Sequence, residues 1–156
     1  MIDLDLAREH LKADDEDVED DLIQQYIASA QSACEGYCNR KFYDDETARA
    51  ADYTVALAEL ESAKEARDTA LEDTEDCDVQ GVINNTWLQA RGNCLARCNG
   101  VVIDSTITAA ILLMLGHFYR NRQEVFVSQA SATQIPAGAK RILEPYLWIG
   151  DLGGEG

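Results

Sequence analysis

The feature that most constrains this chain is one strongly apolar segment, residues 107–119. Its centre holds five consecutive apolar residues, Ile111 to Leu115, so at helical periodicity they occupy more than one side of a helix. Such a helix has to be surrounded by other elements. Asp104 is an N-cap ahead of it, and Arg120 suits the negative end of its dipole. The sequence therefore predicts a central, buried helix.

Further helices are predicted by apolar residues that recur at helical spacing. They fall in residues 3–12, 17–39, 47–73 and, more ambiguously, 78–100. A short helix is expected over 136–146, with Pro145 bending or ending it, and residues 123–135 fit a loop or a short extended segment. We therefore predict an all-α fold, a small helical bundle of four to six helices with a long central hydrophobic helix.

Length and composition favour one domain. A chain of 156 residues with 46% hydrophobic residues can bury a real core. We expect a single helical domain over 1–149 and a flexible glycine-rich tail over 150–156. No apolar run is long enough to cross a bilayer and the first residues do not form a signal peptide, so a soluble protein made in the cytoplasm and without a membrane partner is expected.

Charge is strongly negative and uneven. The formal net charge is −16, with 24 acidic and seven basic side chains in residues 1–78 against five and six in residues 79–156. This negative charge argues against general, sequence-independent binding to the phosphates of nucleic acids. The densest acidic run spans 14–21, where capping explains some carboxylates, but like charges four residues apart repel. The excess indicates a solvated or electrostatically useful surface.

The cysteines offer a weak metal signal. Cys34 and Cys38 lie one helical turn apart, as do Cys94 and Cys98, and facing pairs could hold zinc or form two disulfides. Zinc sites usually use tighter Cys-x2-Cys spacing, so buried thiols are favoured and no metal or cofactor is expected. Cys77 lies in an acidic stretch that disfavours its thiolate.

Catalytic motifs are absent from the sequence. It contains no glycine-rich nucleotide loop, no nucleophile elbow and no His-Glu-x-x-His, and its two histidines, His10 and His117, lie outside any acid–base motif. The acidic run lacks the central Gly and final Glu of a calcium loop. We therefore expect no catalytic residue and no enzyme.

Several segments, in order, resemble the head-tail connector (adaptor) proteins of tailed bacteriophages. The resembling segments are Leu4–Lys12, the acidic turn, Asp21–Ala30 with Glu35-Gly36-Tyr37, Ala109–Arg122, Ile135-Pro136 and Ile142–Tyr146. The resemblance implies an all-helical structural protein that forms a ring, usually dodecameric, beneath the portal protein in the virion neck. DNA passes through the lumen without specific binding, and the next tail-completion protein, a stopper or tail terminator, docks below. Residues 44–103 depart from the family pattern and are interpreted as a helical insertion.

Two sets of residues are candidates for such a role. Acidic residues that would face the channel are Asp14, Asp15, Glu16, Asp17, Glu19, Asp20 and Asp21, and the cluster at residues 72–78 is an alternative. Subunit or portal contacts would use Arg120, Arg122, Lys140, Arg141, Trp148 and Ile149. The alternatives are a solvated outer face, an arginine that only caps its own helix, and a frayed terminus.

A second class of function stays open at this point. An acidic helical chain also suits a regulator or DNA mimic that binds a basic partner. Presence in virions would favour the connector, and a free monomer bound to a nuclease or repressor would favour the regulator.

Overall fold

The structure, a computed structural model, describes residues 2–12, 20–121 and 135–150. Within these ranges 79% of the residues are helical. The α-helices are α1 Leu4–Leu11, α2 Asp20–Cys38, α3 Glu46–Glu72, α4 Cys77–Cys98, α5 Ser105–Arg120 and α6 Ala137–Leu143. A 3₁₀ helix, η1 Glu144–Tyr146, follows α6 directly. The predicted all-α bundle is confirmed, and no helix in the described ranges is both long and apolar enough for a membrane span.

The chain divides into two compact units. Unit 1 runs up to Phe42 and resumes at Ile103, whereas unit 2 is Tyr43–Val102. Two short strands, β1 Phe42–Tyr43 and β2 Val101–Val102, pair where the chain passes between the units, and the sequence analysis missed them. The assignment of residues 1–149 to one domain stays a prediction.

The core of unit 1 is built on α5, which packs against α1, α2 and α6. Its buried side chains cover more than one side of the helix, as the apolar run predicted: Ile107, Ala110, Ile111, Met114, Leu115 and Phe118. The facing stripe of α2 recurs every three or four residues and consists of Ile23, Tyr26, Ile27, Ala30, Cys34 and Cys38. Packing between these two stripes is the main apolar contact of the unit.

The start of α5 and the end of α6 are fixed by local chemistry. The Asp104 carboxylate accepts hydrogen bonds from the backbone N–H groups of Thr106 (2.9 Å) and Ile107 (2.8 Å). It also accepts one from the Tyr146 hydroxyl, which joins the start of α5 to η1. Pro145, the residue before Tyr146, has no backbone N–H to donate to an α-helical hydrogen bond, and α6 is followed there by η1.

Replacing Asp104 by alanine should lower the free energy of unfolding by about 1–2 kcal/mol, because it removes the N-cap of α5. The Tyr146 hydroxyl and the two backbone N–H groups hold the pKa of Asp104 below its usual range. Its stabilisation is therefore present above the ordinary carboxyl pKa and is lost as the pH falls through the folded value. Urea titrations at pH 7 and at acidic pH measure both effects. Asp104→Asn, which retains the cap acceptor, is the matched control; an equal loss in both variants at pH 7 would contradict the capping argument.

Unit 2 is a helical hairpin of α3 and α4. Asp45 and Asp76 cap the two helices by accepting backbone hydrogen bonds from their first turns. Arg97 of α4 pairs with Asp52 and Glu59 of α3, and Tyr43 donates its hydroxyl to the same Asp52. The hairpin is thus fixed near its base by a charge-assisted network rather than by a large apolar core.

Candidate interaction surfaces

The predicted basic residues lie at the C-terminal ends of two helices of unit 1 that pack against each other. Arg120 is the last residue of α5, and Lys140 and Arg141 lie in the last turn of α6. All three are exposed, and none forms an ion pair with another described residue. Positive charge at these positions also stabilises the two helices, because it lies at the negative ends of their dipoles. Arg122 lies outside the described residues.

The two predicted apolar residues near the end of the chain differ from each other. Trp148 is half-buried, and its backbone N–H donates a hydrogen bond to the Cys38 carbonyl at 2.9 Å. The Asn39 side-chain amide donates to the backbone carbonyl of Trp148 at 3.5 Å. Ile149, the next residue, is 90% exposed. The chain is therefore held to the end of α2 through Trp148, and Ile149 is presented outward.

Two of the seven predicted acidic candidates can be placed. Asp20 and Asp21 are exposed in the first turn of α2, and Asp20 accepts a hydrogen bond from Arg8 of α1 at 3.0 Å. Carboxylates at these positions stabilise the helix, because they lie at the positive end of its dipole. The other five, Asp14, Asp15, Glu16, Asp17 and Glu19, lie outside the described residues.

Charge within unit 2 is divided between its two helices, a feature that the sequence analysis missed. Residues 43–102 carry 13 acidic and five basic side chains, yet no carboxylate occurs after Asp78. The remainder of α4 carries only Arg91 and Arg97, and Arg97 is held by the α3 carboxylates. The signal was present in the sequence as an uncharged run over residues 79–90.

Both helices of the hairpin also expose apolar side chains. The large exposed ones are Tyr53, Val55 and Leu57 on α3 and Val79, Val82 and Leu88 on α4. The buried side chains of unit 2 are few, namely Tyr43, Ala56 and Cys94. Periodicity did not reveal this because the apolar residues of α3 and α4 are spread around each helix rather than gathered on one stripe.

Two shallow hollows lie along the outer side of α2. One is lined by Ile2, Asp3, Leu4, Gln24, Ile27, Ala28 and Gln31. The other is lined by Ala28, Ser29, Ser32, Ala33, Gly36, Tyr37, Phe118 and Ile135. Both are mainly apolar, and neither lining set places a nucleophile beside a base, which an acyl- or glycosyl-transfer site would need.

The cysteines are free thiols in the structure. Cys34 and Cys38 lie on α2 in unit 1, whereas Cys94 and Cys98 lie on α4 in unit 2. Burial, with the Cys38 and Glu35 charges, raises the pKa of Cys34 to about 12, and burial raises that of Cys38 to about 11. No group of three or more His, Cys, Asp or Glu among the described residues is arranged to hold a metal ion.

Thiol labelling should separate these cysteines by rate. Cys77 is exposed, so an alkylating reagent at pH 8 should modify it before it modifies the buried thiols. Burial raises the pKa of Cys34 to about 12, so its reactive thiolate is scarce at that pH. We expect it to react only after unfolding, as measured by mass spectrometry against a Cys77→Ser control. Fast modification of Cys34 in the native protein would contradict the buried-thiol interpretation.

Comparison with known proteins identifies the family of this chain. The family described as phage gp6-like head-tail connector protein matches residues 1–86. The match contains α1, α2 and α3 and ends within α4, so it includes part of the segment that the sequence analysis set apart as an insertion. Neither a curated protein nor a solved structure matches the chain. The family is one of structural proteins of the phage particle, not of enzymes. Because the match spans more than half of the 156 residues, the chain belongs to the gp6-like head-tail connector family of phages.

Proposed function

We propose that this chain forms a dodecameric ring below the portal protein in the neck of the virion. DNA passes through the ring during packaging and ejection, and the next tail-completion protein docks on its lower face. Assembly takes place in the host cytoplasm. The observation that carries the proposal is the connector family match over residues 1–86.

The surface chemistry of the chain supports a role in assembly. Ile149 and the outward apolar side chains of the hairpin are uncovered in a single copy, and such side chains gain stability when a protein partner covers them. The exposed basic residues Arg120, Lys140 and Arg141 are opposite in charge to the acidic first half of the chain, and opposite charges favour a side-by-side contact between two different faces of a subunit.

Electron microscopy of the purified protein mixed with the portal of its own virus tests the proposal. A ring of added density below the portal, absent from the portal alone, is the expected result. If no density is added and the protein is also missing from virions, the connector proposal fails and the acidic regulator that binds a basic partner takes its place.

The acidic residues at 14–21 provide a second part of the proposal, a channel wall that repels DNA. Like charge along the lumen keeps the duplex from sticking. Converting the seven carboxylates to amides should therefore slow DNA ejection from virions, most strongly at low salt because screening is then weakest.

The matched comparison converts Glu72, Asp73, Glu75 and Asp78 to amides and keeps Asp76, which caps α4. Slower ejection in that variant alone would assign the channel wall to this cluster. Unchanged DNA retention and ejection in both variants would remove the repulsive-channel idea and leave both clusters as solvated outer surface.

A further inference from the structure

We infer that the hairpin of unit 2 is the belt that joins neighbouring subunits: the outward face of α4 in one copy packs against the outward face of α3 in the next copy. The inference rests on the proposed ring and names the surface that would close it. It follows from the packing of the hairpin, the charge of its two outer edges, and their complementarity.

The packing of the hairpin fixes which faces are turned outward. Arg97 pairs with Asp52 near the base of the hairpin, and the Arg67 guanidinium stacks over the Trp87 ring, 5.1 Å from its centroid. These contacts show that α3 and α4 run antiparallel, with Arg67 level with Trp87. Positions half a turn away from these contacts form the two outer edges.

The outer edge of α4 is uncharged and partly apolar. Val82 is 66% and Leu88 57% exposed, and Asn85 and Gln89 are exposed beside them. Depletion of charge together with exposed apolar side chains is the composition of the centre of a protein interface, whereas a solvated helix face carries charges. Residues 79–90 of α4 contain no charged side chain, whereas α3 contains seven acidic and three basic ones.

The outer edge of α3 is acidic. Glu61, Glu65 and Glu72 are spaced by four and seven residues, which places them on one side of the helix, and all three are exposed. None forms an ion pair with another described residue. The register set by Arg67 and Trp87 places Gln89 at the same height along the hairpin as Glu65.

The two edges are complementary, and they lie on opposite sides of one hairpin. Exposed side-chain amides on the outer edge of α4 are donors for the α3 carboxylates. A contact between two α3 edges would instead bring like charges together. A contact between two different edges of the same unit is heterologous, and such contacts build rings.

The small core of the hairpin also supports a contact with a neighbouring copy. Of its buried side chains, Ala56 and Cys94 are small, so the two helices bury little apolar surface against each other. A pair of helices gains most of its stability from packing. Hairpins of neighbouring copies side by side would supply that packing.

The test introduces carboxylates on the uncharged edge. Asn85→Asp with Gln89→Glu keeps the shape of both side chains but places negative charge at the height of Glu65 and Glu72 of the neighbouring copy. We expect the concentration for half-saturation of the portal, measured by electron microscopy or sedimentation, to rise by about tenfold or more. Circular dichroism and melting of the isolated protein should match the wild type because both positions are exposed.

Rescue identifies the partner. Adding Glu65→Lys and Glu72→Lys to the same chain turns repulsion between copies into attraction and should restore assembly. Loss of assembly without rescue would mean that α4 contacts the portal or the tail protein, and would overturn the second-copy assignment. A photo-crosslinker at position 89 reports the same point without adding charge: a crosslink to another copy is expected, and a crosslink to a different protein contradicts the inference.

The outcomes separate this inference from the proposed function. If the wild type adds no density to the portal, the ring itself fails, and the inference fails with it. If the wild type assembles and the Asn85→Asp, Gln89→Glu variant assembles equally well, the ring stands and the hairpin contact is wrong. Gln24→Glu with Gln25→Glu adds the same charge to exposed positions of α2 and should assemble normally. An equal loss in that control would attribute the effect to net charge and overturn the α4 contact.

Discussion

Replacing Ile111 by alanine should lower the free energy of unfolding of unit 1 by about 2–5 kcal/mol. Ile111 lies in the middle of α5 and is fully buried, as are Ile107 and Met114 on the same helix. The substitution removes apolar atoms from water-free contacts and leaves a cavity that the packed stripes of α2 and α5 cannot fill.

Urea unfolding followed by tryptophan fluorescence measures this loss in the correct unit. Trp148 is in unit 1 and Trp87 is in unit 2, so a Trp87→Phe background leaves only the unit 1 signal. Leu113→Ala is the matched control on the same helix: Leu113 is 40% exposed, so its loss should be about 1 kcal/mol. Equal losses at 111 and 113 would contradict the burial of this face of α5.

The fold was largely predictable because its strongest signals are local. The apolar run at residues 107–119 required a buried helix, and the predicted cap at Asp104 is confirmed, because its side chain accepts hydrogen bonds from the first turn of α5. The strands Phe42–Tyr43 and Val101–Val102 were missed because two residues carry no periodicity, and their pairing joins positions far apart in the sequence.

The candidate surfaces were less predictable, since they depend on which side of a helix is already covered. The sequence analysis named the basic residues at the ends of α5 and α6, and the structure places three of them on the surface. It did not separate Trp148, tied to Cys38 by a backbone hydrogen bond, from the exposed Ile149. The sequence alone shows that α3 is acidic and that most of α4 is uncharged. Only the packing of the hairpin shows that Glu65 and Gln89 lie on opposite outer edges.

Charge reversal at Arg120, Lys140 and Arg141 should weaken ring assembly by about tenfold or more at physiological salt, through the loss of complementary charge between subunits or with the portal. Each reversal replaces a positive charge at an exposed helix end by a negative one, in a chain whose formal net charge is already −16. Higher salt should reduce the difference between the variant and the wild type, because exposed charges are screened within about 8–10 Å at physiological ionic strength and at shorter range above it.

The alternative for these residues is a role confined to their own helices. Positive charge in a last turn stabilises a helix by about 0.3–1 kcal/mol per residue, so the reversals should also lower the melting temperature somewhat. The two roles separate when portal binding is titrated at a temperature where every variant is folded. The conservative triple variant Arg120→Lys, Lys140→Arg, Arg141→Lys keeps the charge and should assemble like the wild type. If the reversed variant melts lower but saturates the portal at the wild-type concentration, the basic residues act on their helices alone and the subunit contact has to be carried elsewhere, first of all by the hairpin.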